Sequence, residues 1–267
     1  MNGLINLSSQ TLERAPKVRN FRVPAGVISA VVALAVWQFV TVVGPFDNTS
    51  IPTATATVVT FFELLGQGST YVALWETFQM AAIGFVIAVV IALPLGTLIG
   101  LSKFAFRSTK FTFDFFKVIP PIVIIPITIL VFGPSIQMGV FLVAFSIVFA
   151  LAIQTAYGIR DADVVLLETM RCYGLGTIAQ IRYARIPSAA PFIAVGIRIS
   201  VAAAIVVSVV AGLIGGAPGL GRAILLAQAG GLNELTFALV LLLGIVGIVI
   251  SRIVIWSQGR LLFWVPR

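Results

Sequence analysis

The chain has 267 residues, of which 60% are hydrophobic and 10% charged, and its mean hydropathy is +1.12. That composition excludes a soluble globular domain and describes an integral membrane protein whose mass is in its spans. The net charge of +8 does not imply nucleic acid, because in a membrane chain a basic excess is first a positive-inside bias, to be tested by position.

The chain contains no histidine. This removes imidazole metal sites, imidazole proton relays and every histidine-dependent triad. The single cysteine, Cys172, allows no intrachain disulfide and is expected to be a small buried or surface thiol.

In chain order, residues 1–24 form a polar tail with Arg14, Lys17, Arg19 and Arg22 against Glu13. The apolar run Ala25 to Val43 follows. With Ala33-Leu-Ala35 as a cleavage site it fits a secretory signal, but about 19 residues at 1.5 Å each suffice to cross, and an uncleaved first span is expected. Gly44 to Trp75 is mixed, broken by Pro45, Pro52, Gly66 and Gly68. Thr57 to Leu65 within it reads as a short helix along the membrane, and Asn48-Thr-Ser50 fits a glycosylation sequon, a pattern short enough to arise by chance. The second span is Glu76 to Leu101. Pro94 can kink it, and Gly96 and Gly100 are either a small-residue contact face or a chance pair in a glycine-rich chain.

Ser102 to Lys117 reads as a basic loop with Lys103, Arg107, Lys110 and Lys117 against Asp114. The third span, about Phe113 to Phe132, contains Pro120, Pro121 and Pro126. Three prolines leave backbone carbonyls unpartnered, and broken backbone at membrane depth survives only against protein or a water-filled cavity. This span is therefore a candidate wall of a translocation path or a kinked packing helix. Gly133-Pro134-Ser135 is a tight reversal, and Ile136 to Tyr157 is the fourth span.

A polar island, Asp161 to Pro191, comes next. It holds Asp161, Asp163 and Glu168 with Arg171, Arg182 and Arg185, and at about thirty residues it is too long for a turn. Leu166 to Tyr173 and Leu175 to Tyr183 each read as a short helix. Gly174 between them can take positive φ without a Cβ clash, and Pro187 is expected to stop the second helix. The reading is a helix–turn–helix on a membrane surface, apolar on one side and basic on the other. The fifth span, about Pro191 to Ile214, carries Arg198 about 10 Å inside its island end; snorkelling or pairing within the bundle is expected, a polar cavity being the other possibility. Gly215 to Glu234 is a glycine-rich connection with Arg222. The sixth span is about Leu235 to Trp256, and Trp256, Phe263 and Trp264 beside Arg252, Arg260 and Arg267 fit an interfacial belt.

Six spans place both termini on one side. Fifteen of the seventeen lysines and arginines fall there: the N-terminal tail, the second loop, Arg160 through Arg185, and the C-terminus. Arg222 lies opposite, with Asp47, Glu63, Glu76 and Glu234. The asymmetry puts both termini and the island in the cytoplasm. The sequence thus reads as an all-α integral membrane protein of about six transmembrane helices, with a transmembrane domain over 25–257, the helix–turn–helix at about 161–190 and a cytoplasmic tail over 258–267.

Missing chemistry narrows the class. There is no G-x-x-x-x-G-K-[ST] phosphate loop, so the chain lacks its own ATPase motif. The span centres hold almost no carboxylates, which leaves a proton-coupled carrier without carriers. Gln79, Gln137, Gln154, Gln228, scattered Ser/Thr and Arg198 offer no convergent catalytic set. An energy source outside the polypeptide fits better, and the folded island is a place to receive it.

Glu168, Gly174 and Pro187 also match the spacing of the EAA loop, Glu-Ala-Ala, three residues, Gly, nine residues, Ile-x-Leu-Pro. That loop marks permease subunits of ATP-binding-cassette importers. The chain departs at Thr169, Met170, Ala184 and Ile186. The resemblance extends over about residues 50 to 265. Ile51-Pro52, Gly84-Phe85, Pro94-Leu-Gly96 with Gly100, Ile125-Pro126 through Phe132-Gly133, Pro191, Gly196-Ile-Arg198, Gly219-Leu-Gly221 and Phe263-Trp264 are similar to the permeases of nitrate, sulfonate, taurine and pyrimidine-precursor importers. Ala211-Gly212 stands where that group usually has Ala-Glu, so the resemblance does not fix a cargo subgroup.

The resemblance implies a plasma (cell inner) membrane permease that forms a translocation path for a small organic or inorganic anion or a pyrimidine-type compound. It implies a second permease copy or a similar partner, two cytoplasmic ATPase subunits, an extracytoplasmic solute-binding protein and the lipid bilayer as partners. It implies no cofactor in this chain, ATP and Mg being held by the partner. Glu168, Gly174 and Pro187 would shape the coupling loop, and Leu175 to Arg185, with Leu175, Arg182, Tyr183 and Arg185, would contact the ATPase. An ion-gradient-driven secondary carrier and a non-transporting membrane scaffold are the alternatives.

Overall fold

The computed structural model of the protein describes residues 25–44 and 51–261. Among the described residues there are helices and connections and no strand. The N-terminal tail, the sequon, and Phe263, Trp264 and Arg267 lie outside the described residues.

Helix α1, Ala25–Val43, has the bounds expected of the first span. Helix α2, Ala54–Leu65, starts at Thr53, whose Oγ1 accepts from the Ala56 N–H at 3.2 Å. Helix α3 runs over Gly68–Leu101, so it begins well before the expected Glu76. The breakers Gly66 and Gly68 interrupt the chain only briefly, and the helix continues through Pro94. Among the described residues, four helical segments are long and apolar enough to cross a membrane, and a bent pair makes five. Ile28–Val43 in α1 is a shorter apolar helix.

The bent pair replaces the expected basic loop and third span. Ser102 caps helix α4, Lys103–Val118, by accepting from Ala105 N–H at 3.2 Å. Helix α5, Pro121–Phe132, is bent from it by 83°. The supposed loop is helical because its charges recur at helical spacing. Lys110 and Lys117 both pair with Asp114, at 3.4 and 2.6 Å, while Phe113 on another face is buried against Phe149 of the following span. Pro120 and Pro121 follow without amide hydrogens, so the ladder ends there rather than bending gradually.

Gly133, with φ 64°, makes the expected reversal into helix α6, Ile136–Arg160. Helix α9, Ile186–Gly215, packs on α6, and α3 packs on both. Close approach of α3 to α6 follows from a stripe of small buried residues every fourth position: Gly84, Ala88, Ala92, Gly96 and Gly100. A Cβ on Gly96 would meet the Ala152 carbonyl and lie 2.7 Å from Thr155 Cβ; one on Gly100 would lie 2.8 Å from Ile159 Cβ. The Gly96–Gly100 face is thus a contact face.

The glycine-rich connection after α9 is also partly helical. Helix α10, Leu220–Ala229, is held at its start by a 2.8 Å hydrogen bond from Leu220 N–H to Thr77 Oγ1 on α3. Leu220, Ile224 and Ala227 on its inner face are buried with Leu64 of α2. Helix α11, Asn233–Leu261, also packs there through Leu239 and Leu242, and it continues past the expected end at Trp256. Arg260 lies 4.1 Å above the Trp256 ring, consistent with the expected interfacial belt.

Candidate coupling site

The island between α6 and α9 folds as two short helical pieces on a small core. Helix α7, Val164–Cys172, is N-capped by Asp163, whose Oδ1 accepts from Val165 N–H at 2.8 Å. Leu167 and Met170 face inward and are buried with Ala162 and Ala184. The outer face leaves Glu168, Thr169 and Cys172 exposed. Among the described residues Glu168 makes no ion pair.

Gly174 ends α7 as the sequence requires. Its φ is 74°. Gly174 N–H donates to Arg171 C=O and Leu175 N–H to Met170 C=O, both at 2.9 Å. These two bonds form a Schellman cap, which needs a left-handed residue at the position Gly174 occupies.

The second piece departs from expectation. Helix α8 is only Thr177–Gln180, and it passes into a π-helical turn, Ile181–Arg185, that continues directly into α9. The expected stop at Pro187 is absent. Proline lacks the N–H that would bond four residues back, and its ring crowds that carbonyl. The wider π turn just before it, where Ile186 N–H reaches Ile181 C=O, carries the chain into α9 with Pro187 in the first turn. Loop and span therefore share one continuous helical path.

Two polar anchors fix this piece: Gln180, which the sequence did not single out, and Arg185, expected there to contact the ATPase. Gln180 is buried, and its Nε2 donates to Leu175 C=O at 3.0 Å. Arg185 is half-buried, and its Nη1 donates to the Ile159 carbonyl near the end of α6 at 3.3 Å. A buried glutamine in an otherwise apolar helical face was the available signal. The Arg185 contact depends on a tertiary neighbour 26 residues away. Arg185 shares a cationic neighbourhood with Arg171 and Arg160, and Arg160 stacks 4.4 Å above Phe106 of α4.

The predicted site residues therefore divide. Arg185 faces inward and ties the loop to α6. Gly174 shapes the turn. Arg182, Tyr183 and Leu175 are exposed, with the Arg182 guanidinium 5.7 Å from the Tyr183 ring centre. Tyr173 and Ile178 beside them are each 82% exposed. Arg182 and Tyr183 also line a shallow concavity with Gly176, Thr177 and Ile178. An apolar patch with an arginine on a rigid base has the composition of a protein-docking surface. Arg198 lies elsewhere. It is exposed on α9, in a groove toward Gly244 and Ser251 of α11, and it has no ion pair among the described residues.

The family described as "Binding-protein-dependent transport system inner membrane component" matches residues 84–265. The chain belongs to this family. As a permease component of an ATP-binding-cassette importer, it is 28% identical to the putative aliphatic sulfonates transport permease protein SsuC of Bacillus subtilis (strain 168), over 96% of this chain and 93% of that protein. It is 26% identical to the nitrate import permease protein NrtB of Synechococcus elongatus, over 90% of each chain. The permease also shares its fold with a chain of the MetNI methionine ABC transporter in an inward-facing conformation, with a TM-score of 0.62 at 21% identity, covering 74% of this chain and 96% of that one.

Proposed function

We propose that this permease forms the path by which a small anion, of the sulfonate or nitrate kind, crosses the membrane in an importer driven by two cytoplasmic ATPase subunits. An extracytoplasmic solute-binding protein delivers the solute, and a second copy of the permease completes the path. The relatives' names support the anion class: aliphatic sulfonates for one, nitrate for another and bicarbonate for a third. Both termini and the loop of residues 161–190 are cytoplasmic, a reading supported by the basic asymmetry of the chain.

The observation that carries the proposal is the exposed patch of Tyr173, Ile178, Arg182 and Tyr183 on a loop continuous with α9. A docked ATPase that changes shape on hydrolysis pushes on α9 through that surface. Coupling requires a contact that differs between two states, and this loop offers one. The test is uptake of labelled nitrate and methanesulfonate by proteoliposomes containing the permease, its ATPase and its binding protein. ATP-dependent uptake is expected, with loss in Arg182→Glu. Uptake driven by an ion gradient at an unchanged rate without ATP establishes the carrier alternative instead.

A further inference from the structure

Beside the 83° break between α4 and α5 lies a second concavity, of about 220 Å³, between α6 and α9. It is lined by Lys117 from the last turn of α4, Gln154 and Tyr157 from α6, and Ser200 from α9. Three observations make it more than a packing defect.

The first is polar satisfaction. Ser200 is 5% exposed and has no hydrogen-bond partner among the described residues, and Gln154 has none either. By contrast, the buried hydroxyls of Thr128, Thr155 and Ser208 bond their own helix, to Ile125, Leu151 and Ile205 C=O, each at 2.8 Å. The Ser200 hydroxyl and the Gln154 amide are therefore left to meet whatever fills the concavity.

The second is charge. Asp114 pairs with both Lys117 and Lys110, so two ammonium groups face one carboxylate and the cluster keeps a surplus of one positive charge. Lys110 also lies beside the Tyr157 phenol. The third is backbone. The broken ladder at Ile119–Pro120 needs either protein or a water-filled space beside it. Ammonium, amide, phenol and hydroxyl can all donate to a small oxyanion, and the surplus positive charge disfavours a cation.

We propose that Lys117, Gln154 and Ser200 form an oxyanion-binding subsite on the solute's route through this permease, at the elbow of the broken helix. The inference rests on the proposed import of a small anion and locates where that anion is held. The volume accommodates a nitrate or a short-chain sulfonate, and Gly196, whose own packing against Leu151 and Gln154 is tight, fixes the wall beside it.

The test uses Ser200→Cys in a Cys172→Ser background, in the permease–ATPase complex reconstituted in nanodiscs. The anionic reagent sulfonatoethyl methanethiosulfonate is compared with its trimethylammonium-ethyl counterpart. The anionic reagent is expected to react faster by roughly tenfold after correction for their rates with a free thiol, as one uncompensated charge at close range implies. Excess nitrate or methanesulfonate is expected to slow it, and Lys117→Gln to abolish the preference, since Asp114 keeps Lys110. Gln154→Cys serves as the second probe if Ser200→Cys does not assemble with the ATPase. Equal rates, no protection by either anion, or no reaction with either reagent at both positions overturns the subsite. ATP-dependent uptake by the parent protein alongside such a result leaves the import reading standing; subsite labelling as expected without ATP-dependent uptake does the reverse.

Discussion

The guanidinium of Arg185 donates to the main-chain carbonyl of Ile159 across 3.3 Å, joining the last turn of the loop to the end of α6. This single contact separates two arginines that the sequence grouped together. Arg185→Ala removes a hydrogen bond from a charged donor, about 1 kcal/mol at a half-buried site. Hydrogen exchange over residues 164–185 should rise in that variant. Arg182→Glu, on the exposed face, should leave exchange unchanged and reduce co-purification of the ATPase. The reverse pattern contradicts the division.

A side chain at Gly174 would be strained by backbone alone, because a Cβ there has nothing within 4 Å. Its φ of 74° costs an L-residue about 1–2 kcal/mol. Gly174→Val should loosen the cap most, Gly174→Ala less and Gly174→Asn least, with membrane insertion unaffected. Limited proteolysis between α7 and α8 reads the order. Equal susceptibility in all three removes the role of positive φ.

On α3, a side chain at Gly96 or Gly100 collides with α6, whereas one at Gly244 or Gly247 on α11 finds open space. Overpacking costs typically about 1–3 kcal/mol. Gly96→Ala and Gly100→Ala should lower the unfolding temperature in detergent, and Gly244→Ala should leave it within error. Thermal scans of the purified variants check this.

Cys172 is exposed on α7, and Leu232 is exposed in the connection between α10 and α11. An impermeant thiol reagent should modify Leu232→Cys in intact cells, in a Cys172→Ser background. It should reach native Cys172 only after the membrane is opened. Labelling of Cys172 in sealed cells inverts the topology and places the loop away from any cytoplasmic ATPase.

Much of this fold was legible because membrane spans are written in long apolar runs and glycine turns in single letters. Val43, Gly133 and Gly174 mark ends and reversals that the structure retains. The helix Lys103–Val118 was not legible as one because its charges have the density of a solvated loop: its lysines pair with Asp114 along one face while Phe113 buries on another. Leu220–Ala229 was hidden by its flanking glycines, although its start depends on Thr77, 143 residues earlier. At the coupling site, Gly174 could be read from local backbone chemistry. Gln180 and the inward turn of Arg185 could not, because their partners are set by tertiary packing. Pro187 was misread because a local rule about proline takes no account of a π turn placed ahead of it.

That π turn also has a mechanical consequence. Since Ile181–Arg185 leads into α9 without a break, the loop and Ile186–Gly215 form one continuous helical path, with Pro191 inside it. Thirty helical residues span about 45 Å. Moved as a rigid body, a path of that length tilted by about 5° at the loop is displaced by about 4 Å at its far end, where Gly216 turns the chain with φ 70°. Leverage of that size needs no rearrangement within α9, so a small angular motion at one surface of the membrane can open or close a gap at the other.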